Sequence, residues 1–329
     1  MQKAYSLKGL IQNLRATFQD EDQTKHLLNN VKNFLLIIMR AAIIIGVGYV
    51  ILSPVIGMVV NSISSNRDAY NPMVFVLPQS PTLERYALAM KRLEYFPTIT
   101  RDLLYTVTLT GLQLLICSMV GYGFARFNFP LKNLLFGCVV VMIVIPTHTI
   151  MLPLYMTFKN FDPFGLMTSL TGAPGLMGTV IPMYLMTMLG CGVRSGIYIY
   201  LFNQFFRGLP KEIEEAALVD GAGVWYTYFR IMLINAMPSV ITVTVFSIVW
   251  QFNDMFYAKL FLISQDVVIS KRISGLQALI ANQDKILEVT IQELYLHAGV
   301  ILIILPVIII YCILQKYFIE GVERSGIVG

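Results

Sequence analysis

The sequence predicts an all-α integral membrane protein: six transmembrane helices, with a short cytoplasmic helix between helices 4 and 5. Three observations carry that prediction. First, 56% of the 329 residues are hydrophobic and only 13% are charged, against about 25% charged in an ordinary soluble domain. So few charges cannot cover a globule of this size in water. Second, apolar runs of about 20 residues recur, the length that crosses a hydrocarbon core of about 30 Å as a helix. Third, one polar segment between two such runs has the start, stop and composition of a helix in its own right. The composition excludes a disordered chain, a coiled coil and a small disulfide scaffold. The net charge of +5 is too small and too scattered for nucleic acid, and anionic lipid headgroups account for it.

The elements follow in order. Residues 1–33 are polar and lack an early apolar stretch, so they read as a cytoplasmic N-terminal segment, not a cleaved signal peptide. Leu7, Leu10, Ile11, Leu14 and Phe18 recur there at helical spacing, as in a helix lying on a membrane surface. The first transmembrane helix is placed at 34–60, as an uncleaved anchor, and 61–101 as an extracytoplasmic loop. A permease-like core follows at 102–318, with a cytoplasmic tail at 319–329. Its spans are Leu103 to Ala125, Leu134 to Phe158, Gly175 to Phe206, Met237 to Ile263 and Leu294 to Phe318. The third span is interrupted by Pro146 and Pro153, and the fourth near Gly190–Gly196.

Basic residues favour the cytoplasmic side of a membrane. Lys3, Lys8, Arg15, Lys25 and Lys32 precede the first span, Arg126 and Lys132 join the second to the third, and Arg207, Lys211 and Arg230 join the fourth to the fifth. Both termini are therefore expected in the cytoplasm.

The link between spans four and five, 210–222, is more than a loop. Pro210 suits the first turn of a helix, Glu212, Glu214 and Glu215 suit the positive end of its macrodipole, and Gly221 and Gly223 suit its termination. Ala216 and Ala217 present a thin wall to which another surface can come close.

Glu215-Ala216-Ala217-Leu218-Val219-Asp220-Gly221, followed by Phe229-Arg230-Ile231, resembles the EAA loop of ABC importer permeases. The family pattern continues to Ile-x-Leu-Pro; here Ile231-Met232-Leu233 is followed by Ile234, and the proline comes at Pro238. Gly121 through Arg126 with Phe129-Pro130, Leu152 through Tyr155, Phe205 through Pro210, Trp250 through Asp254 and the ending from Gln315 are similar to the sugar-type, maltose-permease-like branch. The resemblance implies a permease subunit of an ATP-driven importer in a bacterial cytoplasmic membrane. It implies that 210–222 is a coupling helix docked on a cytoplasmic ATPase, with Glu214, Glu215, Ala216, Ala217, Asp220 and Gly221 as the coupling residues. Glu215 would meet an arginine of the ATPase in a charge-assisted contact, and Gly221 would permit a positive-φ turn. The implied partners are a second permease as heterodimer, two ATPase subunits and an extracytoplasmic solute-binding protein. The implied cargo is a sugar or oligosaccharide.

The chain carries no Walker A pattern, nucleophile elbow or HExxH. It is therefore read as a transporter subunit, not an enzyme, with no cofactor of its own; ATP and Mg belong to the partner ATPase. No metal site is expected from His26, His148 and His297, which are far apart, nor from Cys117, Cys138, Cys191 and Cys312, which read as small apolar residues. Asn253, Asp254, Arg194 and His148 are the candidates for a substrate pathway, because polar groups inside a bilayer face protein or water. Three have a plainer alternative: a helix–helix hydrogen bond or an interface position for Asp254, a satisfied interhelical histidine for His148, and an outer-loop headgroup contact for Arg194. The alternative function, a self-sufficient secondary transporter, calls for internal repeats and intramembrane acids, and it leaves the segment 210–222 without a role.

Overall fold

The computed structural model describes residues 21–71, 77–171, 174–264 and 266–326. The apolar repeat expected between Leu7 and Phe18 lies outside them. All regular structure among the described residues is helical. The chain divides into two compact units, one running to Val60 and one holding nearly all of the residues from Asn61 onward.

The first unit is built on α1 (Glu21–Ile63), which passes through Pro54 without ending. Ile44, Ile45, Tyr49 and Val50 are all exposed, so α1 is apolar around its whole circumference. A helix of that kind is stable only where its solvent is lipid. It begins before the span expected at 34–60, because Glu21 to Asn33 continue the same helix.

The second unit is organised around α3 (Tyr95–Arg126). Before it comes α2 (Glu84–Leu93), and Glu94 in the left-handed region makes the corner between them. After it come α4 (Lys132–Val144), α5 (Met151–Lys159), α6 (Ile181–Met188) and α7 (Ser195–Gly208). Then follow α8 (Lys211–Val219), α9 (Met237–Phe252), α10 (Leu276–Gln283) and α11 (Val289–Gly326). α3 packs on α7, α9 and α6, and α9 packs on α11. The tail expected at 319–329 is, as far as Gly326, the end of α11.

Three described helices are long and apolar enough to cross a membrane: Lys32–Ile63, Tyr95–Arg126 and Val289–Lys316. Two further candidates are bent pairs. Lys132–Val144 and Thr147–Gly165 meet at 105°, and Val224–Asn235 and Met237–Phe252 meet at 77°. Proline explains the first bend. Pro146 pushes Ile145 out of the helical region, to φ −65° and ψ 122°, because its ring clashes with a helical predecessor. The stretch read as a fourth span is two pieces, α6 and α7, separated by Leu189–Arg194. Between α8 and α9 the chain forms a π-helical stretch, Thr227–Met232. Its wider turn brings Tyr228 into the core, where the Ser118 and Tyr228 hydroxyls lie 2.6 Å apart.

One end of this unit is tied by polar contacts. Asp102, fully buried, accepts from the backbone N–H of Ile269 at 2.9 Å. Arg272 pairs with Glu94 at 2.6 Å and Asp266 at 2.8 Å. Arg92 makes a two-pronged contact with Asp284, at 2.9 and 2.5 Å. Beneath them Leu93, Leu276, Ile280 and Leu294 share one apolar cluster.

Candidate functional site

Two places in the second unit gather the residues singled out by sequence: the segment around α8 and a cavity where several helices break.

α8 starts after Pro210, has Glu212 and Glu214 in its first turn and ends at Asp220. Gly221 follows with φ +83°, a conformation that an L side chain opposes, and Ala222 N–H closes the turn on Ala217 O at 3.0 Å. The two faces of α8 are unlike. Glu214 turns toward α3: the Tyr122 hydroxyl donates to its Oε1 at 2.5 Å, and Arg126 Nε lies 3.2 Å from its Oε2. Arg126 also donates from Nη2 to Leu209 O at 2.9 Å. Ala217 is buried on the same side. Glu215, Ala216 and Asp220 face outward. Beside them Leu218, Val219, Trp225 and Tyr226 are exposed, Val219 by 87%.

The six residues expected from the sequence to couple therefore divide between two faces of α8 and, with Gly221, the turn that ends it. Glu214 is tied to α3 and Ala217 is buried on that side, while Glu215, Ala216 and Asp220 are exposed. Sequence reasoning missed the fastening partners Tyr122 and Arg126. The signal was available, since both sit one helical turn apart at the basic end of α3.

The attachment continues upward through a close crossing. A Cβ on Gly121 would stand 2.6 Å from Phe202 Cβ and 3.0 Å from the backbone N of Asn203, so the bare Gly121 lets α3 rest directly against Phe202 Cβ and the α7 backbone. Tyr122, Phe124, Phe202, Phe206 and Tyr228 fill the core around that crossing.

Further from the basic end lies a layer of buried polar side chains. Gln113 donates to Val193 O at 2.6 Å and to Ser195 Oγ at 3.0 Å, and accepts from Ser247 at 2.7 Å and Gln251 at 3.2 Å. Ser247 also contacts Thr110 Oγ1 at 3.1 Å. These bonds join α3, α7 and α9 where water is excluded, so each partner is costly to lose. Gln113 and Ser195 are each about 13 residues, or about 20 Å at 1.5 Å per residue, from Arg126 and Gly208 at the basic ends of their helices. The break at Ile145–Thr147 is at about the same distance, about 20 Å, from Lys132.

At this level lies a cavity of about 430 Å³, between the α4–α5 bend and the α6–α7 break. Thr147, Thr157, Cys191, Arg194, Ser195 and Tyr257 supply its polar lining, with Met142, Ile150 and Met186 among its apolar walls. Arg194, at the start of α7 with φ +59°, has its guanidinium 4.3 Å from the centre of the Trp250 ring. His148 packs its ring edge-to-face on Phe256 at 4.8 Å. The structure thus brings Arg194 and His148 into one neighbourhood with the end of α9. Asn253 and Asp254 serve the backbone there. Asn253 donates to Val249 O at 2.8 Å, and the Asp254 carboxylate faces the N–H groups that open the turn Phe256–Leu260. Among the described residues no three His, Cys, Asp or Glu gather as a metal site.

Residues 117–324, which include α8, the π-helical stretch, the cavity and α9, match the family model described as the binding-protein-dependent transport system inner membrane component. Curated relatives include the diacetylchitobiose uptake system permease protein NgcG of Streptomyces coelicolor, 26% identical over 276 residues, covering 84% of each chain. Another is the arabinooligosaccharides transport system permease protein AraQ of Bacillus subtilis, 28% identical over 235 residues, covering 71% of this chain and 74% of that one. Among solved structures, a chain of a bacterial ABC transporter for import of the acidic polysaccharide alginate has the same fold. It gives a TM-score of 0.71 at 20% identity, covering 87% of this chain and 98% of that one. The match reaches from Cys117 within α3 to residue 324 near the end of α11, and the chain belongs to the family of binding-protein-dependent transport system inner membrane components.

Proposed function

We propose that this chain is the permease subunit of an ATP-driven importer that carries a sugar or oligosaccharide across the cytoplasmic membrane. The observation that carries the reading is the two-faced α8. One face is bound to α3 through Glu214, and the other presents Glu215 and Asp220 beside the exposed Leu218 and Val219. A connector that only had to link two spans gains nothing from exposing Val219. A helix that docks on an ATPase needs an outward apolar and acidic surface and an inward attachment. In this reading the three long helices, the two bent pairs and the α6–α7 pair make six spans, with both termini in the cytoplasm.

The ATPase moves the permease only by binding one of its states better than the other. A change from 1:99 to 99:1 takes about 5.5 kcal/mol. A second permease completes the pathway, and an extracytoplasmic binding protein delivers the cargo. The sugar is supported by the names of the relatives, which refer to diacetylchitobiose and to arabinooligosaccharides. The binding protein is supported by the solved alginate transporter complex with a pentasaccharide-bound periplasmic protein.

The test is purification of the chain from its native membrane and reconstitution of what comes with it. The expected result is an ATPase bound stoichiometrically, and ATP-dependent uptake that Glu215→Ala abolishes while membrane insertion is intact. A chain that purifies without an ATPase and still transports would refute the reading and favour a secondary transporter.

A further inference from the structure

We infer that the cavity at the helix breaks is a subsite for a carboxylate-bearing sugar, a uronate unit, with Arg194 as the recognising group. The inference rests on the importer reading above and names the class of cargo for it. Its first support is charge. Arg194 is the one charged side chain among the described residues that line the cavity, and no carboxylate lines it. Among the described residues no acid lies within ion-pair distance of Arg194. The acids of the same region are engaged elsewhere: Asp254 faces backbone N–H groups, and Asp102 accepts from Ile269 N–H. Arg194 is exposed at the cavity, so its donors are open to an anionic ligand.

The second support is the direction of α7. Ser195, Gly196 and Ile197 line the cavity and form the first turn of a helix of 14 residues. The positive end of the helix dipole therefore adds to Arg194, and anions are favoured there. Gly196 lets the wall of α4 come close: a Cβ would stand 3.2 Å from Met142 Cβ and from Val139 O.

The third support is the shape of the recognising group. The Trp250 ring engages the guanidinium at 4.3 Å, a cation–π contact that supplies no hydrogen-bond acceptor. The guanidinium N–H donors lie in its plane and are the ones that grip a carboxylate in a two-pronged contact. The volume of about 430 Å³ falls within the 300–1,000 Å³ or so of small-molecule sites. The remaining lining, Thr147, Thr157 and Tyr257 among apolar walls, supplies hydroxyls for a sugar and little else.

Cys191 lines the same cavity and is exposed, which gives a direct probe. The permease is prepared as its full complex in phosphatidylcholine nanodiscs. Cys117, Cys138 and Cys312 are replaced, so that Cys191 is the remaining thiol. Its labelling rate with an anionic methanethiosulfonate is measured with trigalacturonate and with the neutral galactotriose. Trigalacturonate is expected to slow labelling and galactotriose to leave it unchanged. Arg194→Gln should weaken the protection by about tenfold or more, as for loss of a hydrogen-bonded charge partner. Arg194→Lys should retain part of it, since lysine keeps the charge without the fork. ATPase activity that co-purifies with each variant shows that the complex is intact.

Equal protection by both sugars, no protection by either, or protection unaltered in Arg194→Gln overturns the inference. So does slowing by phosphatidylglycerol in the disc with no effect of the uronate, which would identify a lipid headgroup as the anion. These failures leave the importer reading standing, because that reading fails by absence of the ATPase.

Discussion

Removing the Glu214 carboxylate should detach α8 from α3 without unfolding the spans. In the structure Tyr122 donates to Glu214 at 2.5 Å, and Arg126 lies 3.2 Å away. The Arg126 side chain is only 5% exposed and that of Glu214 16%. Exposed ion pairs contribute about 0–1 kcal/mol, whereas breaking a buried pair costs about 3–5 kcal/mol. This pair is intermediate, and a hydrogen bond to a charged group contributes about 1.5–3 kcal/mol. A loss of about 2–3 kcal/mol is the expectation for Glu214→Ala. At 1.4 kcal/mol per factor of ten, local opening of α8 becomes about 30- to 150-fold more frequent. Hydrogen–deuterium exchange of the amides of Lys211–Val219, measured in the nucleotide-free complex, reads that factor directly. Tyr122→Phe, which leaves the ion pair, should give a smaller increase. Exchange in Glu214→Ala within about threefold of wild type would refute the role assigned to the contact.

Four further outcomes follow from the geometry. Gly121→Ala puts a methyl against Phe202 Cβ and the Asn203 backbone; neither can rotate away, so α3 and α7 must part at a cost of about 1–3 kcal/mol, seen as a lower thermal midpoint. Gly221→Ala has free space but φ +83°, so a loss of about 1 kcal/mol in local stability is expected, and Gly221→Asn should recover most of it. Gln113→Leu strands Val193 O, Ser247 and Gln251, which should destabilise the α3–α7–α9 junction by about 1–3 kcal/mol in a denaturation assay. Asp284 is held below the usual carboxylate range by the hydrogen bonds from Arg92, against a smaller opposing effect of burial. Its folded value is the lower one, so its contribution is complete above the unfolded value of about 3.9 and is lost as pH falls through the folded value. The difference in thermal midpoint between wild type and Asp284→Asn should stay constant from about pH 5 to pH 8 and vanish in stronger acid.

The long apolar helices and α8 were legible because their signals are local. Length and apolarity give the spans. Pro210, the acidic first turn and Gly221 delimit α8, whose start lies one residue and whose end lies three residues inside the predicted 210–222. The bends were legible as prolines, but their angles depend on what packs against them. The partition of α8 was not legible: Glu214 and Glu215 are adjacent and chemically alike, and only the position of Arg126, 88 positions earlier in the chain, decides which one turns inward. The same holds for Gln113, which reads as one polar residue in an apolar run until Val193, Ser247 and Gln251 are placed around it. Arg194 and His148 are brought to one place although their separation in sequence gives no sign of it.

The bare crossing of α3 and α7 at Gly121 has a mechanical consequence. Bare glycine resting on Phe202 Cβ and the α7 backbone has no flexible side chain to absorb movement, so the crossing would act as a fulcrum. Arg126 lies about 5 residues below it, or about 7.5 Å, and Gln113 about 8 residues above it, or about 12 Å. A rigid rod pivoted there swings its upper arm about 1.6 times as far as its lower one. In the proposed importer, a small tug on α8 would arrive amplified at the level of the cavity.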